Sequence, residues 1–336
     1  MKILLVIVLL LCACYVLAMR GTKGRAGLEK IRGWSYAHRG LHGNGLPENS
    51  MAAFRAAIDA GYGAELDVHL LADGELAVIH DSKLIRTTGA AGRIEDLTSK
   101  DLVRYHLEGT DETIPLFTNV LKLFEGKAPL IIEVKVEGNA NALCEKVAQV
   151  LDGYKGDYCI ESFHPQAVRW FRKHRPDVIR GQLAENFFRS EDTGLGNVLQ
   201  FILSHNLLNF LTRPDFTAYN FRDRDMLTCK ICRGLWGIQG VSWTIRSQED
   251  YDSAVAEGWI PIFEIFKPLL EPGAFSAPGF LHSFPKGANT LFDKEGSFWK
   301  RMSIEKFARL ASGISWDTCS EILVMILHSS CRPASC

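Results

Sequence analysis

The chain has 336 residues, of which 47% are hydrophobic and 23% are charged, and its formal net charge is −1. This length can bury one large core or two modest ones, and the composition is that of an ordinary globular protein. Nucleic acid binding requires a strongly basic surface, which a net charge near zero does not indicate. We therefore expect no nucleic acid partner.

The N-terminus carries an apolar segment, residues 3–19, with basic residues on both sides. Its length is at the lower end of the roughly 17–25 residues that span a bilayer as a helix. We predict that residues 1–33 form a membrane anchor and a basic linker, with a secretory signal peptide as the alternative. The flanking charges leave the orientation of such an anchor open.

Short apolar runs typical of strands alternate with helical patterns along the middle of the chain. The candidate strands are residues 34–38, 63–68, 130–134, 158–162, 179–183, 216–219, 241–244 and 260–264. The candidate helices are residues 50–60, with Asn49 as N-cap, and 116–124, 140–151, 165–174, 225–234 and 248–257. Such alternation predicts a TIM (β/α)8 barrel over residues 34–270, with a doubly wound open sheet as the alternative.

Three segments depart from this alternation. Residues 72–109 contain the turn Asp73-Gly74, which predicts a small hairpin insertion after the second strand, at the mouth of the barrel. Residues 199–211 are apolar and predict an outer helix, or else a lid or lipid-facing surface. Residues 271–336 are rich in proline and glycine at first, with a helical pattern over 302–327, and form an appendage of unknown role.

Carboxylates recur at two-residue spacing on the candidate strands. Glu65 and Asp67 project from one face of the second strand, where two like charges require a cation unless the strand is an exposed edge. Glu133 ends the third strand and can add another oxygen, although an ion pair with Lys135 is the alternative for it. Hard oxygen ligands indicate a divalent cation, either Ca or Mg.

Histidines and further cations accompany these carboxylates. His38 ends the first strand beside Arg39, which is suited to gripping phosphate oxygens, and His80 ends the inserted hairpin. Two imidazoles can act as an acid–base pair, while Lys135 can neutralise charge that grows on a phosphate. The combination favours phosphoryl transfer.

These residues occur within a series of motifs that resembles the glycerophosphodiester phosphodiesterase family, over about residues 34 to 265. The motifs are Ala37-His38-Arg39-Gly40, Pro47-Glu48-Asn49-Ser50, Glu65-Leu66-Asp67-Val68, His80-Asp81, Ile114-Pro115, Glu133-Val134-Lys135, Ser162-Phe163 and Trp243-Thr244. Their order and spacing are those of the family.

The resemblance implies a TIM barrel that hydrolyses glycerophosphodiesters to sn-glycerol 3-phosphate and an alcohol. It implies roles for ten residues: His38 and His80 in acid–base catalysis, Glu65, Asp67 and Glu133 on a divalent cation, Arg39 and Lys135 on the phosphate, Glu48 close to the metal, and Phe163 and Trp243 on the glycerol side. In the absence of the resemblance, both aromatic residues are equally consistent with barrel core.

One departure from the family lies at residues 262–266, which read Ile-Phe-Glu-Ile-Phe where a Thr-Asp-like ending is common. We expect this change to alter specificity and not to abolish activity. Two alternatives stay open: a phospholipase of the lysophospholipase D or phosphatidylinositol phospholipase C kind, and a silent phosphate-binding protein. His42, His69 and His164 are expected to be structural or solvent-exposed. The head group and the oligomeric state are not indicated.

Overall fold

A closed barrel is the centre of the computed structural model, which describes residues 2–190 and 193–269. The strands in this part of the chain are β1 (Tyr36–Ala37), β2 (Gly63–Leu70), β3 (Leu76–Val78), β4 (Leu130–Val134), β5 (Tyr158–Ser162), β6 (Arg180–Ala184), β7 (Phe216–Asn220), β8 (Gln239–Ile245) and β9 (Ile260–Phe263). All of them except β3 are parallel, and β1 pairs with both β9 and β2, which closes the sheet. The TIM barrel prediction is confirmed, and the open sheet is excluded.

Helices follow most of the strands and cover the outside of the barrel. Those in the described residues are α1 (Lys2–Ala18), α2 (Met51–Asp59), α3 (Ile85–Thr88), α4 (Phe117–Phe124), α5 (Ala140–Leu151), α6 (Pro165–His174), α7 (Asn197–Ser204), α8 (Asn209–Thr212), α9 (Leu227–Lys230) and α10 (Gln248–Ala256). The predicted helix over 225–234 continues from α9 as a π-helical turn, Ile231–Leu235. The predicted outer helix over 199–211 is divided between α7 and α8.

The start of α2 shows how the sequence sets a helix end. The N-cap is Ser50, whose hydroxyl accepts a hydrogen bond from the Ala53 backbone amide at 3.0 Å. The prediction of Asn49 as the N-cap is therefore wrong by one position. Asn49 has a positive φ of 53°, and its side-chain amide donates to Asp67 Oδ2 at 2.8 Å. The residue before the helix thus supports a carboxylate at the mouth of the barrel.

The predicted hairpin insertion after the second strand is confirmed. Strand β3 pairs antiparallel with the end of β2, and the residues that follow it enclose a small apolar core of their own. Buried His69 ties this insertion to the barrel, because its ring contacts Glu95 at 2.8 Å and the His80 carbonyl at 3.1 Å. The insertion therefore holds His80 at the mouth, which is formed by the carboxyl ends of the parallel strands.

Alternation along the strands separates two apolar cores. Leu66, Ile132 and Ile160 face outward and pack with the surrounding helices. Ile131 and Cys159 face inward and fill the lower part of the barrel. Because side chains alternate along a strand, the inward row continues upward into polar side chains at the mouth.

The segment between α1 and β1 closes the amino-terminal end of the barrel. Leu28 and Ile31 are buried among the inward-facing residues, and the Tyr36 hydroxyl donates to the Ile31 carbonyl at 2.9 Å. Upstream, the Thr22 amide donates to the Pro214 carbonyl at 2.8 Å. Gly21 is required here, since an added Cβ would lie 2.6 Å from that same carbonyl. This segment packs as part of the barrel.

Helix α1 projects from the same end of the barrel. The Val16 carbonyl accepts from the Trp236 indole at 2.9 Å, and Met19 is buried against Cys232 and Ile238. Side chains from Ile3 to Leu11, in contrast, are 44–79% exposed.

The prediction of a transmembrane helix is not confirmed. Seventeen residues of helix rise about 26 Å, which is less than the bilayer core of about 30 Å. Among the residues that the structure describes, no helix combines the length and apolar character needed to cross a membrane. The predicted appendage, residues 271–336, and its predicted helix lie outside the described residues.

Candidate active site

The mouth of the barrel contains a pocket of about 320 Å³. Its lining consists of His38, Arg39, His42, Glu48, Glu65, His80, Glu133, Glu161, Phe163, Leu183, Trp243, Thr244, Arg246, Ile262 and Glu264. Asp67 and Lys135 adjoin this lining through an ion pair between them and another from Lys135 to Glu133. The structure thus brings all of the predicted site residues to one end of the barrel.

Three carboxylates form the deepest polar part of the site. Glu65 and Asp67 share the inward face of β2, and Asp67 lies directly across from Glu133 on β4. One oxygen from each lies within 4.8 Å of the others, and all three residues are buried. Glu65, Asp67 and Glu133 therefore lie together, as their positions on the predicted strands indicate.

The electrostatics of this cluster indicate a need for positive charge. Burial raises the pKa of Glu65 well above its usual value, and the charges of Asp67 and Glu133 add to the shift. Burial also raises the pKa of Glu133, against the opposing charge of Lys135. For Asp67, burial is outweighed by Lys135 and other nearby cations, so its pKa lies well below the usual value. Carboxylate oxygens held together in this way fit a hard divalent cation.

Two predicted phosphate-binding cations border the carboxylates. Lys135 Nζ lies 3.0 Å from Asp67 Oδ1 and 2.9 Å from Glu133 Oε2. The Arg39 backbone amide donates to Glu65 Oε2 at 3.1 Å, and its guanidinium lies 3.6 Å from Asp67. Both cations therefore limit the repulsion within the cluster and remain next to the pocket.

Glu48 is not one of the clustered carboxylates but is linked to them through Arg39, which also lies 3.6 Å from Asp67. It accepts hydrogen bonds from Arg39 at 3.0 Å and from two nitrogens of Arg86 at 2.9 and 2.6 Å. Arg86, on α3 of the insertion, also pairs with Asp81, whose carboxylate contacts His80 Nδ1. Arg86 could not be predicted from the sequence, because no local motif marks an arginine that pairs across the pocket. The network connects the first loop of the barrel to the insertion that carries His80.

His38 is oriented by a carboxylate from the last strand. Its Nδ1 lies 2.6 Å from Glu264 Oε2, and its Nε2 lies 3.8 Å from Glu65 Oε2. Burial lowers the pKa of His38 to about 4, although the hydrogen bond to Glu264 opposes the shift. Arg246 lies 2.6 Å from the other oxygen of Glu264. The ring is therefore held neutral with its Nε2 turned toward the carboxylates.

Glu264 lies within residues 262–266, where the sequence departs from the family pattern. A signal for it was present, because Ile260, Ile262 and Glu264 continue the two-residue spacing of inward positions. Burial acts to raise its pKa, but the hydrogen bond from His38 and the nearby His42 and Arg246 outweigh it and hold that pKa far below the usual value. An ionised carboxylate at this position is a partner for an imidazole.

The remaining predicted residues form the opposite wall. Phe163 and Trp243 meet edge to face, with ring centroids 5.5 Å apart. Glu161, which no sequence motif marks, lies on β5 two residues before Phe163 and pairs in register with Glu133. It is 1% exposed and lines the pocket.

The other histidines differ in their positions. His42 lines the pocket 3.8 Å from Glu264, so it is part of the site and not peripheral to it. His69 is buried within the insertion contacts described above. His164 is half-buried, and burial lowers its pKa.

Comparison with known proteins agrees with this geometry. The sequence model of the glycerophosphoryl diester phosphodiesterase family matches residues 38–258. A glycerophosphodiester phosphodiesterase of Bacillus altitudinis is 34% identical over 175 residues, which cover 48% of this chain and 71% of that protein. A lysophospholipase D of Rattus norvegicus is 36% identical over 135 residues, which cover 36% of this chain and 42% of that protein.

Solved structures share the fold. A phosphodiesterase of Oleispira antarctica in complex with the product sn-glycerol-3-phosphate matches with a TM-score of 0.57 and 22% identity, over 69% of this chain and 92% of that one. A glycerophosphodiester phosphodiesterase of Thermotoga maritima matches with a TM-score of 0.54 and 23% identity, over 68% and 93%. From the family match, which spans more than half of its length, the chain belongs to the glycerophosphoryl diester phosphodiesterase family, whose members are phosphoric diester hydrolases.

Proposed function

We propose that this enzyme hydrolyses glycerophosphodiesters to sn-glycerol 3-phosphate and an alcohol, with His38 and His80 as its acid–base pair. The observation that carries the proposal is the buried cluster of Glu65, Asp67 and Glu133, with one oxygen of each within 4.8 Å of the others. Both histidines line the pocket that this cluster borders. A phosphodiester bound in this pocket would contact both the groups that neutralise its charge and the two histidines that transfer protons.

Glu65, Asp67 and Glu133 are the residues that would hold a divalent cation, Ca or Mg. When bound, such an ion neutralises phosphate charge and polarises the phosphorus–oxygen bonds. Two observations support this assignment. The donor atoms are all carboxylate oxygens, and the pKa values of Glu65 and Glu133 are raised, which a bound cation would relieve.

Arg39 and Lys135 are assigned to the phosphate oxygens that face away from the carboxylates. Arginine presents several N–H donors in a planar fork, which suits a phosphate, while lysine supplies a compact charge. In the structure both already border the cluster, at 3.6 Å and 3.0 Å from Asp67. Stabilising charge on a phosphate requires no large movement of either side chain.

His38 is assigned as the base that accepts the proton of the attacking nucleophile, which is a water in the overall hydrolysis. A pKa of about 4 keeps its ring neutral at physiological pH, and Glu264 occupies Nδ1, so that Nε2 has the free lone pair. His80 is then the proton donor to the leaving alcohol, with Asp81 fixing its ring through Nδ1. The two imidazoles are held by different carboxylates and so keep distinct orientations.

A second candidate function is hydrolysis of lysophospholipids. It is favoured by the similarity to a lysophospholipase D and by the exposed apolar side chains Val198 and Phe201 on α7, which are 75% and 43% exposed. A silent phosphate-binding protein fits less well, because the cluster and both histidines are intact.

We also propose that α1 attaches the enzyme to a membrane surface. Its support is the exposed apolar row from Ile3 to Leu11, followed by basic residues. Apolar helices next to basic residues bind anionic bilayers.

His38→Ala should lower the kcat for glycerophosphocholine by roughly 10²- to 10⁴-fold, because general base catalysis contributes about that much. His174→Ala, an exposed histidine on α6, is the matched control and should keep wild-type activity. Release of glycerol 3-phosphate is measured, with lysophosphatidylcholine assayed in parallel. Equal rates for His38→Ala and the wild type would refute the assignment, and faster turnover of the lysophospholipid would favour the second candidate.

Removal of divalent cations with a chelator should abolish hydrolysis, and adding back Mg or Ca should restore it. Asp67→Asn removes one charge from the cluster, so it should require at least about tenfold more metal for half-maximal activity. Asp111→Asn, at an exposed position just after the insertion, serves as the control. Full activity in excess chelator would exclude the proposed metal site.

Glu264→Gln should lower kcat by about ten- to a hundredfold with little change in KM, because the amide no longer fixes the tautomer of His38. The exposed Glu249→Gln on α10 is the control. A pH profile of kcat separates this effect from a loss of structure. Loss of the Glu264 charge should move the acid limb of the profile, whereas partial unfolding should lower kcat at every pH. If the variant keeps both the wild-type rate and the wild-type profile, Glu264 does not position the histidine.

Deletion of residues 1–18 should abolish flotation with anionic phospholipid vesicles while glycerophosphocholine hydrolysis in solution persists. The deleted residues are those whose apolar side chains are exposed. Equal flotation of the deleted and complete chains would show that α1 does not carry the membrane contact.

A further inference from the structure

Three arginines, Arg20, Arg172 and Arg213, form a basic cluster at the amino-terminal pole of the barrel. Arg172 belongs to the last turn of α6 and donates to the Leu211 carbonyl of α8 at 2.6 Å. Arg213 directly follows α8, and its own carbonyl accepts from the Thr22 hydroxyl at 3.2 Å. Arg20 lies two residues before Thr22, just beyond the end of α1. The basic cluster therefore lies where α1, α6 and α8 meet.

Among the described residues, no acidic side chain forms an ion pair with the basic cluster. Arg20 lies over the Trp236 ring, 5.5 Å from its centroid, and Arg172 donates to backbone carbonyls. Asp215, the acidic residue closest in sequence to α8, pairs instead with buried Arg180 at 3.5 Å. Two of the three clustered arginines are exposed and the third is half-buried. The positive charge of the cluster is therefore accessible to an anion outside the chain.

The charges of the basic cluster repel one another. Burial lowers the pKa of Arg213, and the charges of Arg20 and Arg172 lower it further. Burial likewise lowers the pKa of Arg172, and the charge of Arg169, three residues earlier on α6, adds to the shift. An anion bound among these groups would relieve the repulsion. Phosphate is the anion that suits them best, because each guanidinium presents a planar fork of N–H donors that matches phosphate oxygens.

Other features of the same pole indicate that the phosphate belongs to a surface. Arg25 extends the basic area, since its guanidinium donates to the Pro176 carbonyl just beyond α6. The apolar row from Ile3 to Leu11 projects from this pole and is exposed. A free phosphate would leave that row in water. An anionic bilayer covers the row and presents phosphate groups where the helix ends, at Arg20, so one partner fits both features.

We propose that the basic cluster of Arg20, Arg172 and Arg213 binds the phosphate groups of anionic phospholipids, so that the barrel itself docks on the bilayer beside α1. This inference rests on the membrane attachment proposed for α1 and extends the contact from the helix to the barrel. Docking through α6 and α8 holds the barrel against the surface by its amino-terminal pole. A contact through α1 alone would leave the barrel joined to the membrane by one helix.

The test is flotation of the complete chain with vesicles of phosphatidylglycerol and phosphatidylcholine, and with vesicles of phosphatidylcholine alone. Arg172→Gln combined with Arg213→Gln removes two charges and leaves α1 intact. Each basic residue near an anionic surface strengthens binding about fivefold, so this double variant should bind the anionic vesicles about ten- to thirtyfold more weakly. Arg55→Gln combined with Lys100→Gln, exposed on α2 and in the insertion, is the control with the same loss of charge. Because charges beyond about 10 Å are screened, its binding should change less than about twofold.

A second variant separates lost charge from lost packing. Arg172→Lys combined with Arg213→Lys keeps both charges and should bind the anionic vesicles within about threefold of the wild type. The Tm of each variant, measured by circular dichroism, reports folding independently of membrane binding and of catalysis.

Three results would overturn the inference: wild-type binding by the glutamine double variant, equal losses of binding in the lysine and glutamine double variants, and equal binding of the wild type to both kinds of vesicle. Failure of the attachment proposed for α1 is distinct, because deletion of residues 1–18 would then leave flotation unchanged. Flotation requires no catalysis, so an absence of the proposed hydrolase activity would not alter any of these results.

Discussion

Repulsion among the buried carboxylates of Glu65, Asp67 and Glu133 is the constraint around which the mouth of this barrel is organised. Packing three acids with oxygens within 4.8 Å of one another is costly unless cations accompany them. Lys135 and Arg39 supply part of that charge from the protein itself. The proposed divalent cation would meet the remaining demand for positive charge, so the repulsion among these carboxylates and the proposed chemistry have one origin.

The supporting carboxylates come from separate parts of the chain. Glu264, at the end of the last strand, holds His38, whereas Asp81 and Glu48 hold the insertion through Arg86. An insertion with its own apolar core can present a rigid histidine without help from the barrel helices. The site therefore depends on the closing of the sheet at β1 and β9 as much as on the motifs near the N-terminus.

Features with a short-range period could be predicted from the sequence, and features that depend on distant pairing could not. The alternation of strands and helices predicted the barrel, and two-residue spacing predicted the pair Glu65 and Asp67. Arg86 pairs with a residue 38 positions away, and a single carboxylate such as Glu161 has no spacing to mark it. Glu264 was visible only as a mismatch to a family pattern, since its partner His38 is 226 residues distant. The N-terminal helix has the 17 residues that its apolar segment predicts, but apolar composition alone does not establish that a helix spans a membrane.

The segment that closes the amino-terminal end of the barrel places α1 and the pocket at opposite ends of the barrel. Ile31 and Leu28 fill the pole opposite the pocket, and α1 leaves from that pole. Any surface that α1 contacts therefore lies at the pole opposite the catalytic groups. A lipid held in such a surface would be separated from the catalytic groups by the length of the barrel, whereas a dissolved diester is not bound to either pole.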